Sequence, residues 1–180
     1  MELNSVYTIQ VNKYKDNIQG ILLKEGNEWL LFKEILPNYM LDGFLIIRKK
    51  WIQSIYRDED EILNEKILKA SGKWDLSNPY DEFPLSDTDD LFSYIYLTLP
   101  IVQIYVQDDS VTYIGKLSKP LAKSFYLLSL KPNGLWNDKT YLFRKTSVRM
   151  ISWDSDYVNS LFVYNQSIDK GDDILIYMNR

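Results

Sequence analysis

The fold class the sequence predicts is α+β: two small, highly bent β-barrels joined by an acidic connector of two helices. Three observations predict it. Short segments rich in β-branched and aromatic residues fill both halves of the chain. A nine-residue stretch, Ile47-Arg48-Lys49-Lys50-Trp51-Ile52-Gln53-Ser54-Ile55, returns 96 residues later as Phe143-Arg144-Lys145-Thr146-Ser147-Val148-Arg149-Met150-Ile151. Between the copies lies a stretch with helical periodicity and acidic helix starts. The expected units are an N-terminal barrel over 1–57, the helical connector over 58–100 and a C-terminal barrel over 101–180.

Taken in order, 6–11 alternates with period two and reads as a strand. Strands are also expected over 17–24 and 29–35, with Glu25-Gly26-Asn27 as the hairpin turn between them. Pro37-Asn38 interrupts pairing, and Asp42-Gly43 is a second turn signal that leads into a strand over 44–47. Arg48-Lys49-Lys50 makes a short break before a fifth strand over 51–56. Five short strands with tight turns suit a small barrel.

Asp58, Glu59, Asp60 and Glu61 place negative charge at a helix start, where it complements the macrodipole. Leu63, Ile67 and Ala70 give that helix one apolar face, and Ser71-Gly72 ends it. Residues 73–86 read as loop. Ser86-Asp87-Thr88-Asp89-Asp90 then opens a second helix with the stripe Leu91, Ile95 and Leu99. Pro100 stops it, because the residue before proline is pushed out of helical geometry. Strands are expected again over 101–106, 111–117, 125–130, 140–144 and 148–153, with a terminal hairpin formed by 161–164 and 174–178.

Composition narrows the chemistry. The chain has 180 residues, 46% hydrophobic and 26% charged, the balance of a folded globular protein. No apolar run reaches the roughly 18 residues of a membrane span, and the first residues do not resemble a secretion signal. A cytoplasmic location is expected. There is no Cys and no His, which excludes thiolate nucleophiles, Ser-His-Asp triads and the common zinc motifs. No catalytic set, metal site or cofactor motif is expected, and the chain reads as a non-enzyme. A carboxylate-based hydrolase is the weakest rival, because no convergent site can be named. The net charge of −4 is uneven: residues 58–109 carry thirteen acids against three lysines.

The two halves agree beyond the opening motif. At an offset of 95, Gly20, Leu22 and Lys24 meet Gly115, Leu117 and Lys119, and Pro37-Asn38 meets Pro132-Asn133. At 96, Asp42, Arg48, Lys49, Ile52, Ile55, Asp58 and Asp60 meet their counterparts. A glycine inside a strand marks a sharp bend or a close backbone approach. Internal duplication is the reading that follows.

An early strand glycine, followed by an apolar-Arg-x-x-x-apolar joint between the last two strands, resembles the Sm-like (and more broadly SH3-like) small β-barrel. The resemblance covers roughly residues 16–57 and 111–154. It implies the barrel fold and, in that family, RNA binding. Two departures bear on the second implication. Lys49 and Lys145 stand where the family has glycine, and the Asp and Asn of its uridine pocket have no counterpart. The element Tyr39-Met40-Leu41-Asp42-Gly43-Phe44 also resembles one in a group of small bacterial proteins, a likeness that implies no activity.

The candidate sites follow from charge and aromaticity. Asp81, Glu82, Asp87, Asp89 and Asp90, with Trp74, form the expected surface for a basic protein partner. The expected function is protein–protein binding, in the manner of an immunity or inhibitor protein. The alternative is an RNA or nucleotide binder using Arg48, Lys49, Arg144 and Lys145, since arginine can fork two hydrogen bonds onto phosphate. Asp58/Asp60 and Asp154/Asp156 are read as capping and solvated charge rather than cation ligands, the first pair also as a helix start. Trp51, Trp74 and Trp136 are the expected exposed aromatic anchors.

Overall fold

The computed structural model describes residues 1–107 and 111–169. Its strands are β1 (Val6–Val11), β2 (Ile18–Glu25), β3 (Trp29–Leu36), β4 (Met40–Arg48), β5 (Ile52–Tyr56), β6 (Val102–Tyr105), β7 (Thr112–Leu117), β8 (Ser124–Leu130), β9 (Trp136–Arg144) and β10 (Met150–Trp153). The helices are α1 (Glu59–Ala70), α2 (Thr88–Thr98) and α3 (Asp156–Asp169). All ten strands belong to one sheet, in the order β5-β1-β2-β3-β4-β10-β6-β7-β8-β9, and every pairing is antiparallel. The chain is thus α+β. Its strands do not close into barrels: β4 pairs with β10 rather than β5, and among the described residues the sheet is open at β5 and β9. Among the described residues no helix is long and apolar enough to cross a membrane.

The strand order of the first five, β5-β1-β2-β3-β4, is repeated by β10-β6-β7-β8-β9. The ladders repeat too. Tyr7 faces Gly20 as Val102 faces Gly115; Gly20 faces Glu34 as Gly115 faces Ser129. Ile46 faces Leu31 as Leu142 faces Tyr126. A 3-10 turn joins β4 to β5 at Lys49–Trp51 and β9 to β10 at Lys145–Ser147. The strand glycines are needed for close approach: a Cβ on Gly20 would stand 2.9 Å from the Lys33 carbonyl, and one on Gly115 would overlap the Leu128 carbonyl.

Asp42-Gly43 is not a turn. The turn is at Asn38 and Tyr39, both with positive φ, while Gly43 (φ +51°) is a bulge inside β4. Its position follows from the seam between β4 and β10. A Cβ there would lie 2.5 Å from the Trp153 carbonyl and 2.7 Å from the Ser155 amide. The preceding Asp42 accepts a hydrogen bond from the Asp156 amide at 2.8 Å, so it caps α3 from across the seam.

Among the described residues three apolar clusters pack on this sheet, the smallest being Ile101, Ile114 and Leu130 with Val158 of α3. Another is internal to the first half: Tyr7, Ile9, Val11, Leu22, Leu30, Phe32, Leu45 and Ile47, with Met150. The largest joins the other face of that half to the second half and to α2, and Phe83, Trp153 and Phe44 stack at its centre. Leu91, Ile95 and Leu99 of α2 are buried as their spacing predicts. In α1 the expectation fails, since Leu63 is 51% exposed and Ala70 is also exposed. That helix turns Leu68 inward together with polar groups: Glu61 accepts from the Thr8 hydroxyl at 2.6 Å, and Asn64 donates to Gln19 at 3.0 Å. Its start is as expected, a capping box between Asp58 and Glu61.

The expected strand over 161–164 is the middle of α3. Val158, Leu161, Phe162 and Asn165 fall on one helical face, and Val158 and Asn165 are buried. The other half of the expected terminal hairpin, 174–178, lies outside the described residues. The three expected tryptophan anchors are half-buried. Trp51 lies under the Arg149 guanidinium at 4.3 Å, Trp74 packs on the larger core, and Trp136 packs against Ile101, Ile114, Leu130 and Val158.

Candidate functional site

A cleft of about 930 Å³ opens where the two halves and α2 meet. Four local structures build it. The β2–β3 hairpin supplies Glu28, held because the Glu28 and Trp29 amides both donate to the Leu85 carbonyl, at 3.2 and 3.0 Å. The first turn of α2 supplies Asp87, Thr88 and Asp89. Asp87 is the N-cap and accepts from the Asp89 and Asp90 amides at 2.7 and 2.9 Å, which satisfies two donors the helix leaves unpaired. The two Arg-Lys joints supply Arg48, Arg144 and Lys145, and the β7–β8 connection supplies Lys123.

The cleft therefore brings together Arg48, Arg144, Lys145, Asp87 and Asp89, which the sequence places in two opposed candidate sites. Inside it most of the charge is already matched. Arg48 pairs with Glu28 at 3.2 Å and donates to the Lys145 carbonyl at 3.1 Å, tying the first joint to the second. Lys145 is only 5% exposed and pairs with Asp89 at 2.7 Å. Thr88 donates to Glu28 and accepts from the Trp29 indole at 2.9 Å. Just outside, Lys49 pairs with Glu25 at 2.6 Å and holds that carboxylate below its usual range. Of the four basic candidates, Arg144 alone is exposed with no ion-pair partner among the described residues.

Asp81, Glu82 and Trp74 stand apart from this cleft. The Asp81 backbone carbonyl accepts from Lys24, while the side chains of Asp81, Glu82 and Asp90 are exposed and unpaired among the described residues. The repeated aspartates have local tasks: Asp58 caps α1, and Asp154 accepts from the Tyr80 hydroxyl.

A second pocket of about 420 Å³ was not legible in the sequence. It is lined by Glu34, Tyr14, Tyr105, Leu45 and Met150 among others. Burial pushes the Glu34 carboxyl up to about 7, and the nearby Asp42 charge adds to the effect. Burial likewise raises the Tyr105 phenol to about 12. The one signal for this pocket is that Glu34 and Asp42 become cross-strand partners once Pro37 to Tyr39 is read as the turn. No family model, no curated protein and no solved structure matches this chain.

Proposed function

We propose that the chain is a tandem duplication of an Sm-like unit acting in the cytoplasm as a non-enzymatic binding protein. On this reading it takes a basic protein partner on its acidic connector, as an immunity or inhibitor protein does. The repeated strand order, the repeated ladder registers and the two equivalent glycine contacts support the duplication. They also support units at 1–57 and 101–180 with the helical connector between them.

The observation that carries the binding reading is a contrast in how charge is used. Asp81, Glu82 and Asp90 are exposed and unpaired among the described residues, in a segment with a large acidic excess. Such charge is free to steer and orient a cationic surface. Three of the four residues of the RNA-binding alternative, Arg48, Lys49 and Lys145, are instead ion-paired within the chain, which leaves that alternative with Arg144. The test is a pull-down from the source cell with the full chain and with an Asp81→Lys, Glu82→Lys, Asp90→Lys variant, read by mass spectrometry. Asp87 and Asp89 are left intact because they hold α2 and Lys145. A basic protein captured by the first and lost by the second is expected, with binding that weakens as salt rises. Equal capture by both overturns the proposal.

A further inference from the structure

The 420 Å³ pocket beside Glu34 has an equivalent in the second half. Ile35, Leu36, Pro37 and Leu45 line the first pocket. Leu130, Lys131, Pro132 and Tyr141, at the offsets of 95 and 96, line a pocket of about 300 Å³. Glu34 and Ser129 take the same place in the two, each opposite the strand glycine on the neighbouring strand. Ser129 is small, neutral and buried. Glu34 is a half-buried carboxyl that makes no hydrogen bond or ion pair among the described residues. A desolvated acid without a partner is costly, and the second half fills the equivalent place with a neutral residue. A costly acid kept in a cavity is explained by a ligand rather than by the fold.

The walls set the chemistry of the occupant. Among the described residues lining the pocket, Glu34 and Asp16 are acids and none is Lys or Arg. Asp42 stands opposite Glu34 on β4. Leu45 and Met150 are buried apolar wall, and the rings of Tyr14 and Tyr105 meet edge to face with centroids 6.1 Å apart. Carboxylates attract a cation and repel an anion, and aromatic rings favour a cation that carries an apolar body. A bare metal ion lacks ligands here, because no group of three Asp or Glu side chains converges among the described residues. The volume suits a small organic molecule.

We infer that this pocket binds a small organic cation, a primary ammonium on a short apolar body, with the ammonium on Glu34 and the body against Tyr105, Leu45 and Met150. The site is separate from Asp81, Glu82 and Asp90 and does not depend on the partner proposed for them. The Glu34 carboxyl must give up its proton to the solvent when the ammonium binds, since a neutral acid offers no charge. It holds that proton until about pH 7. The titratable groups that face it are Asp42 from β4, Tyr105 from β6, and Tyr14 and Asp16 from the β1–β2 connection; β2 and β10 bring the uncharged Gln19, Gly20 and Met150. An alkylammonium stays charged from pH 6 to pH 8, as lysine does. Affinity should therefore rise about tenfold across that range as Glu34 ionises.

The probes are phenethylammonium and phenylethanol, alike in shape and different in charge. Each is titrated into the full-length protein and followed by calorimetry and by amide chemical shifts. Phenethylammonium should bind at least tenfold more tightly than the alcohol at pH 8. At pH 6 it should bind about tenfold more weakly and release a proton, read from the heats in buffers of different ionisation enthalpy. The shifts should centre on Leu45, Tyr105 and Met150, away from Asp81, Glu82 and Asp90. Glu34→Gln should fold and lose the preference for the ammonium. No saturable binding of phenethylammonium, equal affinity for the two probes, binding independent of pH, or an unimpaired Glu34→Gln each overturns the proposal. None of these readouts involves a protein partner, so the pull-down can fail while this site stands, and the reverse.

Discussion

Replacing Glu34 by glutamine should make the protein more stable at neutral pH and leave it unchanged in acid. The carboxyl stands at about 7 in the fold against an ordinary 4.5, mainly because it is buried and further because Asp42 is ionised beside it. In the unfolded chain Glu34 releases its proton near pH 4.5; in the fold it keeps that proton until about pH 7. The folded state therefore binds more protons across that window, and stability falls as pH rises through it. At roughly 1.4 kcal/mol per pH unit, the ionised carboxylate costs about 3 kcal/mol above pH 7 and nothing below pH 4.5. Glu34→Gln keeps the shape and cannot ionise. Its Tm at pH 8 should exceed the parent's by roughly 6–12 °C, taking 2–4 °C per kcal/mol for a domain of this size. Thermal and urea melts followed by circular dichroism from pH 4 to pH 8 measure the difference. The window is clean, because a chain without histidine has no other side chain whose ordinary pKa falls between pH 5 and 8. Parallel curves for the two proteins would refute the reasoning.

Two further outcomes test how the halves are built and joined. Gly115→Ala forces a methyl against the Leu128 carbonyl, backbone that cannot swing aside, and should cost about 1–3 kcal/mol in urea unfolding. An unchanged midpoint would mean that β7 and β8 are spaced more widely than described. Asp89→Asn strips the anion from Lys145, which is 5% exposed, and should cost about 1–2 kcal/mol; the partner's exposure keeps the loss below that of a fully buried pair. High salt should narrow the gap between this variant and the parent.

Strands were the most legible level, because period-two alternation and turn residues are local signals. Of the twelve expected strands, eight match observed ones to within two residues at both ends; β4 and β9 each begin four residues earlier than expected, at Met40 and Trp136, while 161–164 is helical and 174–178 lies outside the described residues. The missed helix α3 shows the limit of that signal. Leu161-Phe162-Val163-Tyr164 has strand-like composition, yet Asp154 and Asp156 repeat the pair that opens α1. Tertiary context overrode propensity there. In α1 the inward face was misread for the opposite reason: Glu61 and Glu65 face the sheet because Thr8, Arg57 and the Val6 amide are there to meet them. The cleft could not be read from charge runs alone, since no local pattern shows that Asp89 and Lys145, 56 residues apart, neutralise each other. The seam was invisible for the same reason. Pairing of β4 with β10 is a long-range choice that periodicity does not encode.

That seam also sets a schedule. β4 ends at Arg48, and the strand that covers its edge begins at Met150. At ribosomal speeds of about 5–20 residues per second, the edge waits roughly 5–20 s for its neighbour to be synthesised. Throughout that interval Phe44, Leu45, Ile46 and Ile47 form an uncovered strand on an otherwise pairable half. Copies emerging side by side on one message can meet each other's β4 before their own β10 arrives. Any delay between codons 48 and 150, or a truncation that removes β10, lengthens that exposure and should send more of the nascent chain into aggregates.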